Sequence, residues 1–302
     1  MTPGSWPRRA RRPYPAGMDG SRPQADRDPV PPPLGARLRE WRLARHLSQL
    51  RLALAADTST RHLSCIETGK SRPGRELLAR LADALELPLR ERNALLLDAG
   101  YAPQFPESAL GAPALARIDQ AIDAILAQQS PYPAFLINRR WDVLRANAAA
   151  ERVNRLMLGG RASAHQNIMR QFFDPADLRA AIANWEEVAG ELIGHLHDQV
   201  AAAPGDAAAR ALLEEMLAYP GVPARWRLRD PASSPSPLLA TVLRGGGVEL
   251  RFFSTITRFA MPRDITLDEL HIECCFPLDE ATAAYCRALA EGGDGRAAAL
   301  SR

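Results

Sequence analysis

The sequence predicts a multidomain chain: an all-α domain of five short helices over 34–102, then an α+β domain over 103–291 with an antiparallel sheet of about five strands and its helices. Three observations carry this. Apolar residues recur at helical spacing in five short segments between Leu34 and Gly100. Ala-Gly-Tyr-Ala-Pro-Gln-Phe-Pro at 99–106 closes that series with a glycine stop and two prolines, a boundary signal. Farther on, PLLATVLR, VELRFFSTITRF and LDELHIECCF are β-branched and aromatic, and Gly245-Gly246-Gly247 between the first two is a hairpin signal.

The first domain is built around SQLRLALAADTSTRHLSCIETG, residues 48–69. Gln49 to Ala56 places Leu52, Ala53 and Ala56 on one stripe, and Thr60 to Thr68 places Leu63 and Ile66 inward at i and i+3. Ser48 and Ser59 stand where N-caps belong, because a side-chain oxygen there satisfies orphan backbone N–H groups. Gly69 is placed to end the second segment. With Leu63 and Ile66 inside, the outer face carries Thr60, Arg61, Ser64, Cys65 and Thr68. Small hydrogen-bonding groups around one long arginine suit entry into a DNA major groove, where a guanidinium fork can bond guanine O6 and N7. LGARLREWRLARHL supplies a preceding helix with Leu34, Leu38, Trp41 or Arg42, and Leu43 on its apolar side. PGRELLARLADALELP and LRERNALLLDAG supply two following helices, with Leu78, Leu81 and Leu85 on one and Leu89, Leu95 and Leu96 on the other.

In the stretch from LGARLREWRLARHL to LADALELP, Leu-Ser-Gln, Ser-Thr-Arg-His-Leu-Ser, Ile-Glu-Thr-Gly and Arg-Pro follow in order. It resembles the helix-turn-helix domain of XRE-family transcriptional regulators, the λ-repressor-like arrangement. The resemblance implies double-stranded DNA as partner, Gln49 as a backbone clamp, and Thr60, Arg61 and Ser64 as base readers. It also implies Arg72, and less directly Lys70, as phosphate contacts. His62, at the edge of the face, is expected to be solvated or bonded within the chain. Asp57 stands where the family usually has glycine in the turn, Thr58 replaces an apolar residue, Arg51 an acidic one and Cys65 an aromatic one. Aspartate tolerates a left-handed backbone better than most residues.

In the second domain, Leu115, Ile118, Ile122 and Ile125 or Leu126 predict a helix to about Gln129, broken by Ser-Pro-Tyr-Pro. Ala-Phe-Leu-Ile and Trp-Asp-Val-Leu-Arg-Ala-Asn read as two strands joined at Asn138-Arg139-Arg140, after which Asn147 caps an alanine-rich helix. Helices are expected at Ile168–Phe173, from Pro175 to about Ala203, over Asp206–Ala218 and over Asp279–Glu291, with the helices on one face of the sheet. PYPAFLINRRWDVLRANAAA, FFDPADLR, NWEEVAGELIGHL, LLEEMLAYPGVPARW and PRDITLDELHIECCFPLDEAT together resemble the PAS-like ligand-binding domain of MmyB-like transcription regulators. That resemblance implies a small apolar, fatty-acyl-like effector. Phe135, Trp141, Val143, Trp185, Phe252 and Ile256 are candidates for the pocket wall, and Asn138, Arg140 or Asn147 for orienting a polar end. The alternative is a second domain that only dimerises.

Composition narrows the class. The 302 residues, 46% of them hydrophobic, suffice for two or three globular domains. No run of 18 apolar residues predicts a membrane span, and no secretory signal is read in the arginine-bearing start. Cys65, Cys274, Cys275 and Cys286 fit neither a zinc pattern nor a disulfide framework, so a reducing cytoplasm is expected. The net charge of +3 divides unevenly: +3 over 1–33, +4 over 34–102 and −4 beyond. Positive charge therefore sits with the DNA-reading helices, as phosphate neutralisation requires. Residues 1–33, with nine prolines and six arginines, and the C-terminal stretch 292–302 are expected to be disordered or flexible tails.

No phosphate-cradling glycine loop, nucleophile elbow, HExxH or paired acid and base is present, so no enzyme, cofactor or metal is expected. His195 and His197 at i and i+2 point to different sides of a helix, and solvation is their expected state. Cys274 and Cys275 in a strand face opposite ways, one buried and one half-exposed. One reading helix spans few base pairs, so a homodimer on a palindromic site is expected.

Overall fold

The computed structural model describes residues 34–229 and 238–292. The expected tails, 1–33 and 292–302, lie outside these apart from Gly292. Five helices come first: α1 (Leu34–Ala44), α2 (Gln49–Ala55), α3 (Thr60–Glu67), α4 (Arg75–Ala84) and α5 (Leu89–Asp98). The Ser48 hydroxyl accepts from the Arg51 N–H and the Ser59 hydroxyl from the His62 N–H, so both predicted caps form. Between α2 and α3 the chain turns through Asp57 at φ +50°, the left-handed conformation that aspartate tolerates. Leu38, Trp41, Leu52, Leu63, Ile66, Leu81 and Leu95 close around one another as the core. Leu43, placed on the apolar side of α1 by periodicity, is instead 54% exposed, because Trp41 and Arg42 fill that side. α1 crosses the end of α3 at Gly35, where a Cβ would stand 2.5 Å from the Ile66 and Glu67 carbonyl oxygens.

The second part is α+β. Its strands are β1 (Ala134–Ile137), β2 (Val143–Ala146), β3 (Ala240–Gly245), β4 (Val248–Arg258) and β5 (His271–Pro277). They form one antiparallel sheet in the order β2-β1-β5-β4-β3, so β5, last in sequence, lies in the middle. Gly246 and Gly247 carry φ +59° and +81° in the β3–β4 turn, the double left-handed geometry of a tight hairpin.

Around the sheet stand α6 (Ala116–Gln128), α7 (Ala148–Met157), α8 (Ile168–Phe173), α9 (Trp185–Ala202), α10 (Ala207–Ala218), the single turn α11 (Ile265–Asp268) and α12 (Glu280–Ala290). Three expectations are corrected. Helices cover both faces: Ile122 and Leu126 of α6 pack with Leu136, Ile272 and Cys274, whereas α7, α8, α9 and α12 gather on the opposite side. The long helix begins at Trp185, not Pro175. Ala183 donates its N–H to Val242 and Ile182 bridges Leu243, and these bonds to β3 hold Ile182–Asn184 out of helix. The last strand begins at His271, because Asp264 caps Ile265–Asp268 into a helical turn.

The two parts meet through α5. The Arg90 guanidinium forks onto Glu269 at 2.6 and 3.0 Å and also reaches Glu107. The Leu89 N–H, at the start of α5, donates to Asp268 at 3.0 Å, and Arg45 reaches the Ala202 carbonyl. Residues 33–302 form one compact unit.

Candidate nucleic-acid interface and ligand cavity

The outward face of α3 is open. Arg61 is exposed, Thr60 and Ser64 are half-buried, and α3 packs on α1 and α2 only through its opposite side. Lys70 and Arg72 are exposed in the loop that follows; the Arg72 guanidinium lies 5.2 Å from the Tyr101 ring centre and against Gly100. Gln49 is half-buried, and its side-chain amide donates to Glu67 at 2.8 Å. Glu67 in turn receives two bonds from Arg42, at 2.6 and 2.9 Å, while Arg42 also donates to the Leu47 carbonyl. Burial alone would raise the Glu67 carboxyl, but the bonds from Arg42 and Gln49 hold it below the ordinary glutamate value. The pair is almost dry, with side-chain exposures of 9% and 2%. It ties α1 to α3 and fixes Gln49 at the start of α2. His62 bonds within the chain as expected, through Thr58 and Ser71.

A cavity of about 380 Å³ opens between the sheet and α7–α9. The sheet floor follows from strand alternation. Phe135, Glu273 and Ile256 are register partners on β1, β5 and β4, and Ser254 and Cys275 are partners one step along. Phe252, Thr241 and Leu243 continue the floor. The wall from α9 follows helical spacing, with Val188, Glu191, Leu192 and His195 at i, i+3, i+4 and i+7. Ile168, Gln171 and Phe172 of α8, with Val153 and Asn154 of α7, complete the surround. Trp141 is held over one end at φ +68°, its ring edge-on to His195 with centres 5.3 Å apart.

Of the residues singled out from sequence, Phe135, Trp141, Phe252 and Ile256 line this cavity. Five others do not. Asn147 spends its whole amide on structure: its oxygen accepts from Ala134 and Ala150, and its nitrogen donates to Leu126 and Tyr132. Asn138 closes the β1–β2 turn by accepting from the Arg140 and Asp142 N–H groups. Arg140 is exposed and lines a separate surface hollow with Arg139 and Arg170. Val143 packs into the apolar cluster beside the cavity. Trp185 donates its indole N–H to the Phe172 carbonyl, and the Arg179 guanidinium lies 3.6 Å from its ring centre.

The polar lining, Asn154, Gln171, Glu191, His195, Thr241, Ser254, Glu273 and Cys275, was missed. The α9 members had a visible signal in their i, i+4 spacing, and His195 is thereby a rim residue rather than merely solvated. His197 bonds to the Trp226 carbonyl. Cys274 is buried on the α6 side, and Cys275 faces the cavity with its thiol pushed up by burial. No group of three metal-ligating side chains occurs among the described residues, and no described helix is long and apolar enough to cross a membrane.

A helix-turn-helix unit whose α3 face is open, joined to an α+β domain that holds a cavity, has the layout of a transcription regulator with a ligand-binding module. The comparisons are specific. Residues 118–289, more than half of the chain, match the MmyB-like transcription regulator ligand binding domain, and residues 38–92 match a helix-turn-helix family. The chain belongs to the MmyB-like transcription regulators. No curated protein matches it. A solved chain described as "Structure of an RNA-binding Light-Oxygen-Voltage Receptor" is similar at 14% identity and a TM-score of 0.23, over 85% of this chain. This chain spans 62% of that one's length, and so weak a likeness carries no functional weight.

Proposed function

We propose that the protein binds a palindromic double-stranded DNA site as a homodimer in the cytoplasm, and that a small apolar molecule in the α+β domain changes its affinity for that site. Thr60, Arg61 and Ser64 read bases, Gln49, Lys70 and Arg72 meet the phosphates, and no catalysis is involved. The aromatic and aliphatic lining suits a fatty-acyl-like body, and 380 Å³ lies within the roughly 300–1,000 Å³ of small-molecule sites. A cavity of that size favours sensing over a second domain that only dimerises.

One observation carries the coupling. Trp141, His195 and Ile256 line the ligand cavity and also face the cleft between the two parts, across from Arg45, Leu87 and Arg90. A molecule pressing on that shared wall acts on the surface against which the DNA-reading part is seated. β5 runs the same way, from Glu273 in the cavity to His271, two residues beyond the Glu269 that holds Arg90. A ligand shifts an equilibrium only by its differential affinity for the two states.

The test is DNA binding, by fluorescence anisotropy on a promoter fragment from the protein's own locus, with and without C8–C14 alkyl probes. We expect a shift within the roughly 5–150-fold typical of coupled sites. Arg90→Ala, which removes the fork onto Glu269, should bring the shift toward onefold while alkyl uptake by the cavity persists. Thr241→Trp, which fills the floor, should instead weaken uptake itself by about tenfold or more, read as a lost thermal shift. Operator affinity untouched by every probe that binds would overturn the coupling.

A further inference from the structure

The cavity is apolar in its walls but not in its charge. Two carboxyl groups, Glu191 and Glu273, line it, and among the described residues no lysine or arginine does. Glu273 stands on the central strand, between Phe135 and Ile256 on the neighbouring strands. It is half-buried and hydrogen-bonded to Ser254, and it belongs to none of the ion pairs among the described residues. An acid in such a place costs stability unless something repays its desolvation. Strand alternation could have put any β-former at position 273 with a better fit to the empty fold.

The same lining disfavours an anionic head. A carboxylate entering the cavity would lose its hydration, meet two acids and find no cation. An ammonium or amine group reverses each of these contacts: it gives Glu273 a charged partner beside Ser254 and faces Glu191 at the α9 wall. We infer that the effector of this cavity is an amine-headed apolar molecule, cationic at the end that meets Glu273, and not a carboxylate. This rests on the cavity being the effector site. Burial pushes the Glu273 carboxyl above its ordinary value against the opposing bond from Ser254, and a cationic head beside it would favour its charged form.

The test uses the full chain and three probes of one chain length, decylamine, decanol and decanoate, each by calorimetry and thermal shift below its aggregation concentration. Decylamine is expected to bind about tenfold or more tightly than decanoate, with decanol between them. Glu273→Gln should collapse the decylamine preference and leave decanol binding nearly unchanged. Glu191→Gln, on a half-buried helix position, should reduce the preference without abolishing it, and stands in if the β5 variant fails to fold. Decanoate binding as tightly as decylamine to the unaltered protein overturns the head-group assignment and leaves the effector site standing. Failure of all three probes to bind overturns both.

Discussion

Glu67→Ala lowers the stability of the DNA-reading domain by about 3–5 kcal/mol, the range for removing one partner of a buried ion pair. Its carboxylate receives the forked Arg42 guanidinium and the Gln49 amide at once. Alanine leaves the guanidinium charged and nearly dry, and it frees the side chain proposed to clamp the DNA backbone. Against a typical total of about 5–15 kcal/mol, such a loss removes between a fifth and all of the stability. Denaturant unfolding followed by tryptophan fluorescence reads it, because Trp41 sits in the core beside the pair. Replacing both partners, Arg42→Met with Glu67→Leu, is expected to recover most of the stability but not the DNA affinity, since Gln49 stays unanchored.

The same pair sets an acid limit. Folding lowers the Glu67 carboxyl, so its contribution is complete above the ordinary glutamate value of about 4.3 and is lost as pH falls through the lower native value. A pH titration of unfolding free energy should therefore fall more steeply in that window for the natural protein than for the Arg42→Met, Glu67→Leu pair. Equal slopes would remove Glu67 as the cause.

Arg61→Ala costs about 1–3 kcal/mol at one base pair of the preferred site and far less on random DNA. The side chain projects from α3 into solvent with no partner among the described hydrogen bonds and ion pairs, on a helix held from behind by Leu63 and Ile66. Arg72→Ala is expected to differ in kind. Its guanidinium rests on Tyr101 beside the loop, so its loss should weaken all sequences alike and reduce the slope of log affinity against log salt by about one. Anisotropy titrations on the natural site, single-base variants and random duplex, each at several salt concentrations, separate the two. Equal loss on natural and random DNA for Arg61→Ala would take it out of the base-reading set.

Legibility differed between the two parts for a physical reason. In the first, each helix buries one stripe against neighbours close in sequence, so the periodicity of Leu52, Leu63, Ile66, Leu81 and Leu85 already contains the packing, and the caps Ser48 and Ser59 already contain the boundaries. The exception was Leu43, which lies off the face that Leu38, Trp41 and Arg42 turn inward. In the second part the strands were visible from residue type, and the hairpin from its glycines. The cavity was not, because its floor joins β1 to β4 and β5, which follow it by more than a hundred residues.

By itself, then, the sequence determined the order of domains, the reading helix and its exposed side chains, and the aromatic residues available for a pocket. Tertiary structure alone decided which of those aromatics face the cavity and which, like Trp185, are spent on packing. It also turned Asn138 and Asn147 from ligand groups into structural bonds, and brought Glu273 of the central strand to face His195 and Glu191 of a distant helix. A side chain's type is written locally, but its neighbours are chosen by strand order, and strand order depends on pairings that no local pattern records.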